Sequence, residues 1–169
     1  MKIRTYVLAV TAMTFFLLAG TDKAGLTEGY RPGDIAPGIK SPGTDVDITF
    51  SNGSGSYTLL HFWAAYNADS RMLNVQLWNK LNHSDLSDNV KMISVSLDEP
   101  ESIFVETVKA DRLEMTNQVH EMLGEHSAVY KKYGLKKGLK NFLIDYKGVI
   151  VATNITPEKL SEFMNKQKG

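Results

Sequence analysis

No cysteine occurs anywhere in this chain of 169 residues. Its absence excludes disulfide staples, thiolate metal sites and any sulfur nucleophile, and it removes cysteine usage as a guide to compartment. An excess of either charge is missing as well, since 19 Lys and Arg offset 19 Asp and Glu. Nothing in that balance marks the chain for nucleic acid, and there is no acidic tail. The length suits one ordinary domain with enough interior to fold unaided.

What is present begins with a targeting pattern. The basic start through Lys2 and Arg4, followed by the mainly apolar residues 6–19, reads as a secretory signal, too short for a comfortable membrane span. Leu17-Leu18-Ala19-Gly20 resembles the first part of a bacterial lipoprotein signal, but Thr21 stands where the lipid-bearing cysteine would be. Cleavage after Gly20 is the expectation, with an uncleaved anchor as the alternative. Membrane contact would then run through this segment only. The expected layout is a signal at 1–20, an extended leader at 21–44 marked by Pro32-Gly33, Pro37-Gly38 and Pro42-Gly43, and one domain at 45–169.

Within that domain, residues 46–50 alternate as a strand, and 51–56 form a turn in which Asn52-Gly53 suits a hairpin into a second strand at 57–62. No Gly-Lys-Ser/Thr follows the glycines, which excludes a phosphate cradle. Residues 59–65 are an apolar run of the kind a strand buried on both faces needs. A helix is expected from Ser70 to about Asn82, with Met72, Leu73, Val75, Gln76, Leu77 and Trp78 on its apolar face. A polar loop, a strand at 90–97 and a helix after Pro100 follow, the helix burying Ile103, Phe104, Val108 and Leu113. A minor strand within 115–120 and a short helix capped by Ser127 and ended by Gly134 come next. Paired strands at 142–145 and 149–152, and a last helix from Pro157 with Leu160, Phe163 and Met164 inward, complete the order.

Phe62-Trp63-Ala64-Ala65-Tyr66-Asn67-Ala68-Asp69-Ser70-Arg71 resembles the active-site segment of the thioredoxin superfamily, in its envelope branch of TlpA/ResA-like thiol–disulfide oxidoreductases. That branch reads Phe-Trp-Ala-Ser-Trp-Cys-x-x-Cys-Arg. Tyr133-Gly134-Leu135 and Phe142-Leu143-Ile144-Asp145 with Gly148 resemble its later motifs, so the likeness spans roughly 45–166. It implies an α/β, three-layer thioredoxin-like fold: a mixed central sheet flanked by helices, with an N-terminal β-hairpin. It also implies that Asn67 stands for the attacking cysteine, Ser70 for the resolving one and Leu139 for the family's cis-proline. A non-proline cis bond costs about 2.5–4 kcal/mol, so trans is expected before Leu139.

Neither Asn67 nor Ser70 can exchange disulfides. The expectation is therefore a redox-inactive binding or interaction module of the periplasm or cell envelope. Its contact residues would be Tyr66, Asn67, Asp69, Ser70, Arg71, Leu139 and Lys140, and its partner an envelope protein or peptide. Two alternatives stay open: non-thiol chemistry at the Asn67–Ser70 turn, or service to a redox partner protein. Asn67, Asp69 or Ser70 reads first as a helix cap. His61 reads first as hydrogen-bonded structure, with a buried base as the alternative. His120 and His126, with Glu121 and Glu125 nearby, match no common zinc spacing. His83 falls in a polar loop, and the pairs Lys131-Lys132 and Lys136-Lys137 read as solvated surface rather than a nucleic-acid patch. Trp63 and Trp78 read as core. No metal and no cofactor is expected.

Overall fold

A computed structural model describes residues 25–40, 47–51 and 53–167. The signal reading at 1–20, Val46 and Asn52 lie outside them. The first strands, β1 (Ile39–Lys40) and β2 (Asp47–Ile48), pair antiparallel as a small N-terminal sheet. Strand β3 (Tyr57–Trp63) leads into α1 (Ala68–Asn82), then β4 (Val90–Ser96), α2 (Glu101–Ala110), β5 (Gln118–His120) and α3 (Ala128–Lys132). Strands β6 (Asn141–Ile144) and β7 (Ile150–Thr153) and helix α4 (Pro157–Gln167) close the chain. The main sheet runs β5-β4-β3-β6-β7, parallel from β5 to β3 and antiparallel from there. This is the mixed, helix-flanked sheet that the element order implied.

Alternation along β3 splits the core into two layers. Leu59 and Trp63 join Leu77, Trp78, Leu81, Phe104, Leu143, Leu160 and Met164 under α1, α2 and α4. Leu60 and Phe62 join Val95, Tyr133, Leu135, Phe142 and Ile144 on the opposite face, beneath α3 and the N-terminal segment. Each such aliphatic or aromatic side chain contributes about 1.5–3 kcal/mol on burial. Both tryptophans lie in this core, as expected.

Five expectations need correction. Residues 47–51 do not fold back on β3: both edges of that strand are taken by β4 and β6, so β2 pairs with β1 instead. Helix α1 starts at Ala68 rather than Ser70, because Asn67 is its cap. Its buried face is Ser70, Asn74, Leu77, Trp78 and Leu81, while Met72 is exposed. Ile103 also faces outward, leaving Phe104, Thr107 and Val108 to bury α2. Leu113 is buried as expected but lies past α2, which ends at Ala110, so it is not part of that helix's stripe. Ser127 caps α3 as expected, accepting from the Tyr130 amide at 3.0 Å.

Residues 25–40 lie along the β7 side. Gly33 donates to the Ile150 carbonyl, the Tyr133 hydroxyl donates to the Pro37 carbonyl, and Lys132 pairs with Glu28 at 3.0 Å. Gly134, left-handed at φ +62°, presses on Tyr30 so closely that an added Cβ would sit 2.9–3.2 Å from three ring atoms. Gly134→Ala is therefore expected to cost about 1–2 kcal/mol from the left-handed backbone alone, plus the ring contact. In chemical denaturation, adding Tyr30→Ala should relieve the contact part and leave the backbone part.

Candidate functional site

The site is built where β3 ends. Asn67 donates its amide to the Ala64 carbonyl at 3.0 Å, turning the chain into α1. Asn67 Oδ1 then accepts from the Ser70 amide at 2.9 Å, and Ser70 Oγ donates to the Asn67 carbonyl at 3.0 Å. The two positions that would carry the sulfurs are thus bonded to each other, in a cap worth about 1 kcal/mol. Ser70 is buried, and its hydroxyl also accepts from the Ala64 amide at 3.4 Å. No nucleophile is poised here.

Asp69 is exposed in the first turn of α1, where its charge suits the helix dipole. Arg71 forks onto Asp111, Nε to Oδ2 at 2.7 Å and Nη2 to Oδ1 at 2.6 Å, tying α1 to the end of α2. Leu139 packs half-buried against the second core layer. The Lys140 carbonyl accepts from the Phe62 amide at 3.0 Å, and its ammonium lies 5.9 Å from the centroid of the Tyr30 ring. Every described peptide bond is trans, including the one before Leu139. Of the predicted contact residues, Tyr66 and Asp69 are open to solvent; Asn67, Ser70 and Arg71 are engaged within the fold.

Tyr66 is 63% exposed, and its hydroxyl donates to Glu125 at 3.3 Å. Loss of water around that hydroxyl, then the Glu125 carboxylate, pushes its pKa up to about 12. The ring forms one side of a hollow of about 390 Å³ walled by Ala65, Leu97, Pro100 and Ile103. Three carboxylates, Asp98, Glu99 and Glu125, line it too. Asp98 is buried; both its oxygens accept from the Ala65 amide, at 3.0 and 2.9 Å, and one also accepts from Ser96 Oγ at 2.8 Å. A second hollow of about 370 Å³ lies on the other side of Ala65, between Met72, Val75 and the Arg71–Asp111 pair. Sequence reasoning missed this acidic groove. Its only signal was Asp98-Glu99 shortly before α2, which a helix start explains equally well.

Beneath α1, the sheet carries a polar row. His61 faces Asn141 across β6 and Ser94 across β4, and Ser94 faces Gln118 across β5. Asn74, fully buried, receives the Ser94 hydroxyl at 2.7 Å and reaches Gln118 at 3.4 Å. His61 Nε2 donates to the Ser70 carbonyl at 2.8 Å, so Nδ1 carries no hydrogen and has no partner among the described residues. Burial drives its pKa down to about 4, against an opposing effect of the Ser70 bond. This row explains the inward polar face of α1. His61 reaches no open cleft, which fits structure rather than catalysis.

His120 does not join His126. Its ring stacks on Phe104 with centroids 5.0 Å apart, and its Nε2 donates to the Asp98 carbonyl. Among the described residues, no group of three or more His, Asp or Glu side chains could hold a metal ion.

A thioredoxin fold whose active-site turn is a helix cap defines the class of protein. Among solved structures, a thioredoxin-like protein from Parabacteroides distasonis is 54% identical over 83% of this chain and 99% of its own, with a TM-score of 0.77. The C-terminal domain of a putative thiol-disulfide oxidoreductase from Bacteroides thetaiotaomicron is 25% identical over 82% and 98%, with a TM-score of 0.69. A thiol-disulfide oxidoreductase from Bacteroides fragilis is 25% identical over 79% and 99%, with a TM-score of 0.67. No family model and no curated protein matches the chain. The chain belongs to the thioredoxin-like family, as a member without cysteine.

Proposed function

We propose that this chain is a redox-inactive thioredoxin-like binding module of the cell envelope, engaging an envelope protein or peptide at the surface where relatives carry their thiols. One observation carries the reading: the two sulfur positions are spent on a helix cap, while the adjacent Tyr66 stands exposed over a groove. Selection for disulfide exchange would require a thiol; this chain has none. The envelope assignment rests on the N-terminal signal pattern and on the resemblance of the whole domain to envelope oxidoreductases.

Affinity capture from envelope extract with the wild type and Tyr66→Ala tests the surface. A specific partner retained by the wild type and lost by the variant is the expected result. Purified protein should leave the rate of insulin reduction by dithiothreitol unchanged. Thiol-dependent turnover above that background, or a partner indifferent to Tyr66, would overturn the proposal.

A further inference from the structure

Resting on the binding reading above, we infer that the groove beside Tyr66 accepts an arginine side chain presented by an extended apolar peptide. The groove's walls are apolar, Leu97, Pro100 and Ile103 among them, yet its charge is entirely negative: Asp98, Glu99 and Glu125 line it and no Lys or Arg does. Arg71, which borders the neighbouring hollow, is committed to Asp111 by two short bonds. Asp98 is buried, bonded to the Ala65 amide and the Ser96 hydroxyl, and within electrostatic reach of Arg71. The negative charge left open to an incoming cation is therefore that of the exposed Glu99 and Glu125.

Geometry favours guanidinium over ammonium. Tyr66 is held by its hydroxyl on Glu125, so its exposed ring offers a fixed flat face beside a carboxylate. A planar guanidinium can stack on such a face and still donate several N–H groups to the neighbouring Glu99 and Glu125 carboxylates; a lysine offers one compact charge. Ala65 borders both hollows, so a peptide crossing it would place a neighbouring apolar side chain beside Met72 and Val75. The thioether of Met72 adapts to different apolar shapes.

The test titrates the purified protein with acetyl-Gly-Leu-Arg-Leu-Gly-amide and with the same peptide carrying uncharged, isosteric citrulline for arginine, followed by amide NMR shifts. Saturable shifts at 65–66, 98–103 and 125 are expected, with binding about tenfold weaker for the citrulline peptide. Glu99→Gln combined with Glu125→Gln, both at exposed positions, should erase that preference while leaving the thermal midpoint unchanged. Equal binding of the two peptides, shifts elsewhere, or an unaffected double variant overturns the arginine assignment. Absence of peptide shifts while envelope capture still depends on Tyr66 overturns this inference alone. Absence of both overturns it together with the binding reading.

Discussion

Asn141→Ala is expected to destabilise the protein by about 2–6 kcal/mol, since two buried main-chain groups lose their partners at about 1–3 kcal/mol each. Asn141 is fully buried at the start of β6, and its side chain clasps Ile155: Nδ2 donates to the Ile155 carbonyl at 2.9 Å and Oδ1 accepts from the Ile155 amide at 2.7 Å. The Asn141 carbonyl accepts from the Asn154 amide at 3.0 Å as well. These bonds hold the link between β7 and α4, which seats Ile155, Leu160 and Met164 in the first core layer. Asn141→Leu should fare no better, because an apolar replacement leaves the same Ile155 main-chain groups without partners. Thermal unfolding should show a midpoint lowered by about 5–15 °C, whereas Lys140→Ala next door should change stability by no more than about 0.5 kcal/mol. A loss under 1 kcal/mol for Asn141→Ala would show that water replaces the clasp without penalty.

Asn141 illustrates what the sequence could and could not disclose. It follows directly on Leu139 and Lys140, which the family likeness groups with the active-site surface, and nothing in its own spacing marks it as core. Its actual partner, Ile155, lies fourteen residues away across a hairpin, and side-chain pairing over that distance leaves no periodic trace. The apolar run through β3 was legible for the opposite reason: a strand buried on both faces must be apolar at nearly every position, whatever its neighbours are. Caps were legible too, since Asn67 and Ser127 act on amides within three residues of themselves.

The small sheet and the site were harder. β1 is two residues long, and its Ile39 is buried by packing that only the tertiary fold supplies. Met72 and Ile103 carried the expected helical spacing for burial, but α1 lies over a polar row and α2 buries Phe104 and Thr107 instead. The groove beside Tyr66 gathers Asp98, Glu99 and Glu125 from two separate loops. Taken singly, each acid had a local explanation. Only their convergence on one exposed aromatic ring, with no Lys or Arg lining the hollow, gives them a common chemistry.

The polar row under α1 yields the prediction with the widest pH range. His61 is neutral in the folded state, its pKa lowered to about 4 from the ordinary 6.5 by burial. In the unfolded chain it takes up a proton near the ordinary value, so below that pH the unfolded state binds more protons than the folded one. Stability is therefore complete above pH 6.5 and falls as the pH drops from there towards 4. The window corresponds to about 3 kcal/mol at 1.36 kcal/mol per pH unit, with about 2 kcal/mol of it lost by pH 5. The proton would enter at Nδ1, a buried nitrogen facing no acceptor, while Nε2 keeps its bond to the Ser70 carbonyl. His61→Gln retains an N–H able to reach that carbonyl but has no group that titrates in this range. Urea unfolding from pH 7.5 to 4.5 should thus show a wild-type decline exceeding that of His61→Gln by about one proton's slope, 1.36 kcal/mol per pH unit at most. Parallel curves for the two proteins would mean that water reaches His61, and would remove the dry seat assigned to it beneath the first turn of α1.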